Sequence, residues 1–137
     1  MTLRISLRDG ERVVINGAII RSSGRTDLAI ESKVTILRGR EIMAPAEANT
    51  PARALYFHTM MAYLDPERIE EHHRQILGLL GGVSRLSTCE TGRAAVASFA
   101  ERAASADYYR ALGDCRTLMR LEHDALAGVA EVAELAA

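Results

Sequence analysis

The sequence predicts an α+β fold: a small antiparallel β-meander of about five short strands, followed by a four-helix C-terminal half. Three observations carry this. The first 43 residues alternate apolar and polar side chains with a period of two and break at glycine-containing turns. Beyond Ala44, apolar positions recur at three- and four-residue spacing behind helix-start signals. The chain has 137 residues, 48% of them apolar, enough to bury a core without a metal or a disulfide.

Leu3, Ile5 and Leu7 alternate with Arg4, Ser6 and Arg8, so three aliphatics point one way and two arginines the other. Asp9-Gly10 suits a tight hairpin turn and leads into a second strand from Glu11 to Ile15. Asn16-Gly17 is a second turn of that type, before Ala18-Ile19-Ile20. Ser22-Ser23-Gly24 is the third break, and Thr26 to Ile30 and Val34 to Leu37 complete the strand region.

A hinge at Ala44 to Asn49, containing Pro45, separates the strands from the helices, expected at 51–64, 66–80, 88–104 and 107–132. Thr50-Pro51 opens the first: a hydroxyl accepts from the exposed amides, and proline fits the first helical position. Its apolar residues surround it and imply burial on most faces. Asp65-Pro66 repeats the start signal, Ile69, His73, Ile76, Leu77 and Leu80 form the stripe, and Gly81-Gly82 ends that helix. Ser87 and Glu90 have capping-box spacing for the third, whose inner face is Cys89, Val96, Phe99 and Ala103. Asp107 opens the last, with Tyr108, Ala111, Leu112, Cys115, Leu118, Met119, Leu126 and Val129 inside and Gly113 and Gly128 as breaks. The organisation is thus a basic β part, 1–43, and a helical part, 44–137, packed as one unit.

No apolar run reaches the length of a spanning helix, and the N-terminus has no apolar leader stretch, so the expected setting is cytoplasmic, away from membranes. Cys89 and Cys115 lack metal or redox spacing and read as small core residues of a reduced compartment. Net charge is −1 but uneven. Residues 1–43 hold eight basic groups against five acids, and residues 44–137 hold nine against thirteen. A polyanion would therefore prefer the first third.

Nothing in the pattern calls for catalysis or a cofactor. His72 and His73 diverge by about 100° on a helix and cannot chelate one ion together. Glu122-His123-Asp124 diverge likewise and read as solvated surface. The glycines fall in turns and not in a phosphate-binding loop. Residues 1–43 contain no Phe, Tyr or Trp, which excludes a base-stacking sheet there. What remains is recognition of phosphates and base edges by cations at strand ends and turns: Arg4, Arg8, Lys33, Arg38 and Arg40. Five short strands leave edges that a homodimer would pair, doubling a modest patch. Tyr108 and Tyr109 on the acidic helical half are candidates for contact with a protein partner.

Leu3-Arg4-Ile5-Ser6-Leu7-Arg8, Gly10-Glu11-Arg12, Ile15-Asn16-Gly17-Ala18-Ile19-Ile20, Thr50-Pro51-Ala52-Arg53 with Tyr56-Phe57, Tyr63-Leu64-Asp65 and Asp107-Tyr108-Tyr109-Arg110-Ala111-Leu112 together resemble the FlbT family of flagellin repressors, from residue 2 to about 122. The resemblance implies a post-transcriptional regulator that associates with the 5′ untranslated leader of flagellin mRNA and promotes its decay. It also implies the companion protein FlaF and flagellin as protein partners. Arg8-Asp9-Gly10-Glu11 leading to Ile15, with Leu37-Arg38-Gly39-Arg40-Glu41-Ile42, is similar to the carbon-storage regulator family, small dimers that bind mRNA leaders. In that family an arginine precedes a Glu-Ile pair. Here Gly39 stands at its place, between Arg38 and Arg40.

Overall fold

Asn16 and Gly17 both take positive φ, 51° and 82°, the turn conformation whose twist matches paired strands. They fold β2 (Arg12–Ile15) back on β3 (Ala18–Arg21), with Ile15 opposite Ala18 and Arg12 opposite Arg21. β5 (Ile36–Arg38) pairs with the other side of β2, giving the order β3-β2-β5. β1 (Leu3–Leu7) and β4 (Thr26–Ile30) form a second, two-stranded antiparallel sheet. This computed structural model describes the backbone of residues 2–136, and the side chains of that span except those at 86, 87 and 129–136.

All five expected strands are present and antiparallel, but they do not pair in chain order. Asp9-Gly10 is a turn, with the Glu11 N–H donating to the Arg8 carbonyl at 3.0 Å, yet it does not close a hairpin. Gly10 instead donates to the Ser22 carbonyl at 2.8 Å, and the chain crosses there from one sheet to the other. The alternation sets why. Ile5 and Leu7 of β1, with Leu28 and Ile30 of β4, pack on Val13, Ile15 and Ile36 of the three-stranded sheet as one apolar cluster. Two sheets bury that face where a single flat one would expose it.

The chain divides into two compact units, Met1–Met43 and Ala44–Ala137. In the second, α1 (Pro51–Leu64) packs against both α2 (Ile69–Val83) and α4 (Tyr108–Ala136), and α3 (Glu90–Ala104) packs against α4. α1 buries Ala52, Leu55, Tyr56, Thr59, Met60 and Ala62, the wide burial its apolar surround implies. Thr50 caps it, its hydroxyl oxygen accepting from the Arg53 N–H at 3.2 Å. Glu122 of α4 adds a second cap: its carboxylate accepts from the Thr50 hydroxyl and, at 3.0 Å, from the Ala52 N–H. A carboxylate there also meets the positive end of the helix dipole. Glu122 is therefore part of the packing and not solvated surface.

Other local expectations change. Asp65 makes no side-chain cap; its carboxylate binds Nε2 of His72 at 3.1 Å, which turns His72, with Ile76 and Val83, to the buried side of α2. Leu77, expected inside, is exposed. Gly81-Gly82 does not end α2, which runs to Val83, nor does Gly113 or Gly128 break α4. The cap of α3 is Cys89, whose sulfur accepts from the Gly92 N–H at 3.3 Å, so Cys89 is an exposed end residue and not core. The Ser87 side chain invoked for that cap, and the Val129 side chain on the last stripe, lie outside the described residues. Leu126 is exposed, so the buried stripe of α4 runs from Tyr108 to Leu118.

Ala106 joins α3 to α4 at φ 59°, the left-handed position that closes a helix and is usually glycine. Its N–H donates to the Ala103 carbonyl at 3.1 Å and that of Asp107 to the Arg102 carbonyl at 2.8 Å, the paired bonds of a Schellman ending. A Cβ there is strained, so Ala106→Gly is expected to raise unfolding stability by about 0.5–1 kcal/mol. Glu122→Ala removes the second cap of α1 and is expected to cost about 1–2 kcal/mol. Urea titrations of the two variants check both; Ala106→Gly destabilising, or Glu122→Ala neutral, contradicts the assignments.

Candidate nucleic-acid interface

Two turns of the β unit are each flanked by arginines: Arg8-Asp9-Gly10-Glu11-Arg12 and Arg21-Ser22-Ser23-Gly24-Arg25. The fold staples them together. Gly10 donates to the Ser22 carbonyl, the Ser22 N–H to the Glu11 carbonyl at 2.9 Å, and the Gly24 N–H to the Asp9 carboxylate at 2.8 Å. Ser22, buried, also donates to the Gly24 carbonyl, which holds the second turn closed. Arg8, Arg12, Arg21 and Arg25 thereby gather at one end of the unit.

Arg12 and Arg21 are direct cross-strand partners, a pairing of like charges that is unfavourable unless an anion lies over them. All four are exposed, and among the described residues none of them makes an ion pair. Beside them an open polar cleft of about 590 Å³ is lined by Ser6, Leu7, Arg8, Asp9, Glu11, Arg25 and Arg38. The acids are already engaged: Asp9 by Gly24, and Glu11 by the Arg8 N–H at 3.1 Å and by Arg38 at 3.2 Å. These contacts hold the Glu11 carboxyl below its ordinary value, the Arg8 amide first and the Arg38 guanidinium next. The Glu11 contacts therefore hold above that ordinary value and are lost only as pH falls through the lowered one.

The five cations expected from the sequence do not form one patch. Arg38 is tied down, its guanidinium donating to the Ser6 carbonyl at 2.7 Å as well as to Glu11. Arg8 lies in the cleft. Arg4 is exposed on β1 opposite Ala29, and Lys33 follows β4 at the far end of the β1–β4 ladder, roughly 13 Å along the strand from Leu7. Arg40 is exposed in the 3-10 turn Gly39–Glu41. Arg12, Arg21 and Arg25 were missed by sequence reasoning. The signal was there, in two three-residue turns each bracketed by arginine, but the crossing that brings them together is a matter of topology.

On the helical unit, Tyr108 is buried and its hydroxyl is hydrogen-bonded with Nε2 of His73, while burial pushes its phenol up. Tyr109 is 45% exposed, its ring 5.7 Å from that of Tyr63. An apolar groove of about 250 Å³ runs between α2 and α3, along His73, Ile76, Leu80, Phe99 and Ala103, with Leu77 70% exposed at its lip. Burial pushes the Cys115 thiol up to about 12, away from nucleophile chemistry. Among the described residues no group of His, Cys, Asp and Glu is placed to hold a metal ion, and no helix is long and apolar enough to cross a membrane.

The model of the family described as flagellar protein FlbT matches residues 3–126. The flagellum biosynthesis repressor protein FlbT of Caulobacter vibrioides strain ATCC 19089 is 33% identical over 137 residues, covering 94% of this chain and 92% of that relative. The probable repressor of the same name from Caulobacter sp. strain K31 is 34% identical, covering 94% and 99%. That of Allorhizobium ampelinum is 44% identical over 70 residues, covering 51% and 47%. No solved structure matches. The likeness of the first strands to the carbon-storage regulator family gains no support from these matches. On the extent of the family match and of the Caulobacter relatives, the chain belongs to the FlbT family of flagellar proteins.

Proposed function

We propose that this protein is a repressor of flagellum biosynthesis that binds the 5′ untranslated leader of flagellin mRNA through its β unit, and so promotes decay of the message or blocks its translation. The observation that carries the reading is the stapled arginine end, where Arg8, Arg12, Arg21 and Arg25 stand exposed and, among the described residues, make no ion pair. Guanidinium groups take phosphate oxygens and guanine edges in fork geometry, and such contacts need no aromatic ring. That suits a unit without Phe, Tyr or Trp. Arg4, Lys33 and Arg40 extend the footprint along the backbone of a folded leader, whereas Arg38 serves the fold first. The protein acts by occupancy, with no catalytic group of its own.

The Arg12→Ala/Arg21→Ala pair is expected to weaken binding of a labelled flagellin leader about tenfold or more and to lower the slope of log affinity against log salt by about 1–2. Circular dichroism of the variant should match wild type, since both side chains are exposed. Unchanged affinity and slope in the folded double variant defeats the reading.

A second reading rests on the α2–α3 groove: a protein-interaction or chaperone role in which an amphipathic helix of FlaF or of flagellin lies along Leu77 and Leu80. Tyr109 borders the same unit. Here Leu77→Asp is expected to abolish capture of purified flagellin or FlaF in nuclease-treated samples while leaving leader binding unchanged. Capture that survives Leu77→Asp, or that vanishes with nuclease, removes this reading.

A further inference from the structure

β3 is an edge strand whose sole charge is Arg21 at its last position. Among the described residues it pairs with β2 alone, and all four of its residues are exposed. Ile19 is 73% exposed and Ile20 41%, and successive strand residues point to opposite faces, so the edge is apolar on both. Natural edges are blunted by charged side chains, proline or a bulge, and in Ala18-Ile19-Ile20-Arg21 the one such device, Arg21, stands at the strand end and leaves Ile19 and Ile20 uncovered.

The hydrogen-bonding groups available on this edge follow from the ladder. Ser22, one residue on, donates to the Glu11 carbonyl and accepts from the Gly10 N–H, so its backbone faces β2. The alternation of an antiparallel ladder then turns the N–H and C=O of Ile19 and Arg21 outward.

We propose that β3 is a self-association edge, pairing antiparallel with β3 of a second copy of this chain about a two-fold axis at Ile20. A two-fold axis through an antiparallel pair must pass where a residue meets its own copy. Centring it on Ile20 sets Ile19 of each chain opposite Arg21 of the other, and all four outward-facing residues exchange their bonds. Centring it on Ile19 leaves Arg21 opposite Gly17, a turn residue at φ 82° that cannot continue the ladder. The Ile20 register also keeps each arginine opposite an isoleucine and never opposite another arginine. A foreign strand would need an acid or an aliphatic at each of these places; the second copy brings the aliphatics with it.

The product is a continuous six-stranded sheet, β5-β2-β3 followed by the same strands reversed. The axis is perpendicular to the sheet, so Arg12 and Arg21 of both chains lie on one face. That makes four guanidinium groups in a strip where one chain has two. Only this consequence rests on the RNA reading above; the pairing itself does not.

Full-length protein at about 0.1 mM should sediment as a dimer, and Ile20→Lys, which sets two cations face to face at the axis, should weaken self-association about tenfold or more. Its circular dichroism should be that of wild type. In a Cys89→Ser background, Ile20→Cys should form an intermolecular disulfide under mild oxidation, because facing residues of that kind bring their Cα atoms to about 4.5 Å. Ile19→Cys should crosslink far more slowly. A monomer at that concentration overturns the proposal, as does a dimer indifferent to Ile20→Lys or one crosslinked through Ile19→Cys and not Ile20→Cys. Leader binding by a protein that stays monomeric sinks this inference alone. A crosslinked dimer that ignores the leader sinks the RNA reading alone.

Discussion

One side chain ties the two small sheets of the β unit to each other. Arg38 lies on β5 of the three-stranded sheet, and its guanidinium donates both to the Ser6 carbonyl on β1 and to the Glu11 carboxylate in the crossing turn. Its own N–H donates to the Glu41 carboxylate, which anchors the 3-10 turn that follows. The apolar cluster beneath is small, seven side chains around Ile5, Leu7 and Val13. Such a cluster fixes which faces meet but not their offset, since aliphatics slide over one another at little cost. The two hydrogen bonds from the Arg38 Nη2 to a carbonyl and a carboxylate are directional, and they favour one offset over its neighbours. The Gly10–Ser22, Ser22–Glu11 and Gly24–Asp9 hydrogen bonds then hold the two arginine-bracketed turns side by side.

That arrangement explains a division of labour among arginines that look equivalent in the sequence. Sixteen of the seventeen cations are arginine, so residue type alone distinguishes none of them. The fold does. Arg38 and Arg102 face carboxylates, at Glu11 and Asp114, and are held by them. Arg12 and Arg21 face one another. An arrangement that opposes two guanidinium groups across a ladder costs stability, and among the described residues neither group makes an ion pair that would offset the cost.

Much of the fold was legible. Period-two alternation and the Asn16-Gly17 turn located the strands, and Thr50-Pro51 located the start of α1 to the residue, because these signals are local and one mechanism dominates each. Pairing order was not legible: Asp9-Gly10 has the chemistry of a hairpin turn, and only burial of Ile5 and Leu7 against Val13 sends β1 to a different sheet. Partner choice by polar side chains was hidden for the same reason. Asp65 has the sequence signature of a cap but meets His72, and Glu122 reads as surface until the packing of α4 on α1 brings it to the helix start. For the candidate site, the alphabet was visible and the grouping was not; Arg4 and Lys33 separate along a ladder, while Arg12 faces Arg21 across another and Arg8 and Arg25 line one cleft.

The absence of aromatic rings from residues 1–43 shapes what the β unit can recognise. A stacking platform reads splayed single strands and holds each base by its face. On the RNA reading proposed above, arginines at stapled turns would hold phosphates, and base edges only where the nucleic acid presents them, which favours a folded backbone over an extended one. Rigidity then matters more than area. The hydrogen bonds that join Asp9 to Gly24, Gly10 to Ser22 and Ser22 to Gly24 leave the turn backbones little room to adapt, which sets the Cα positions from which the arginines extend. On the RNA reading proposed above, anchor points placed in this way would lose less entropy on binding than turns free to move.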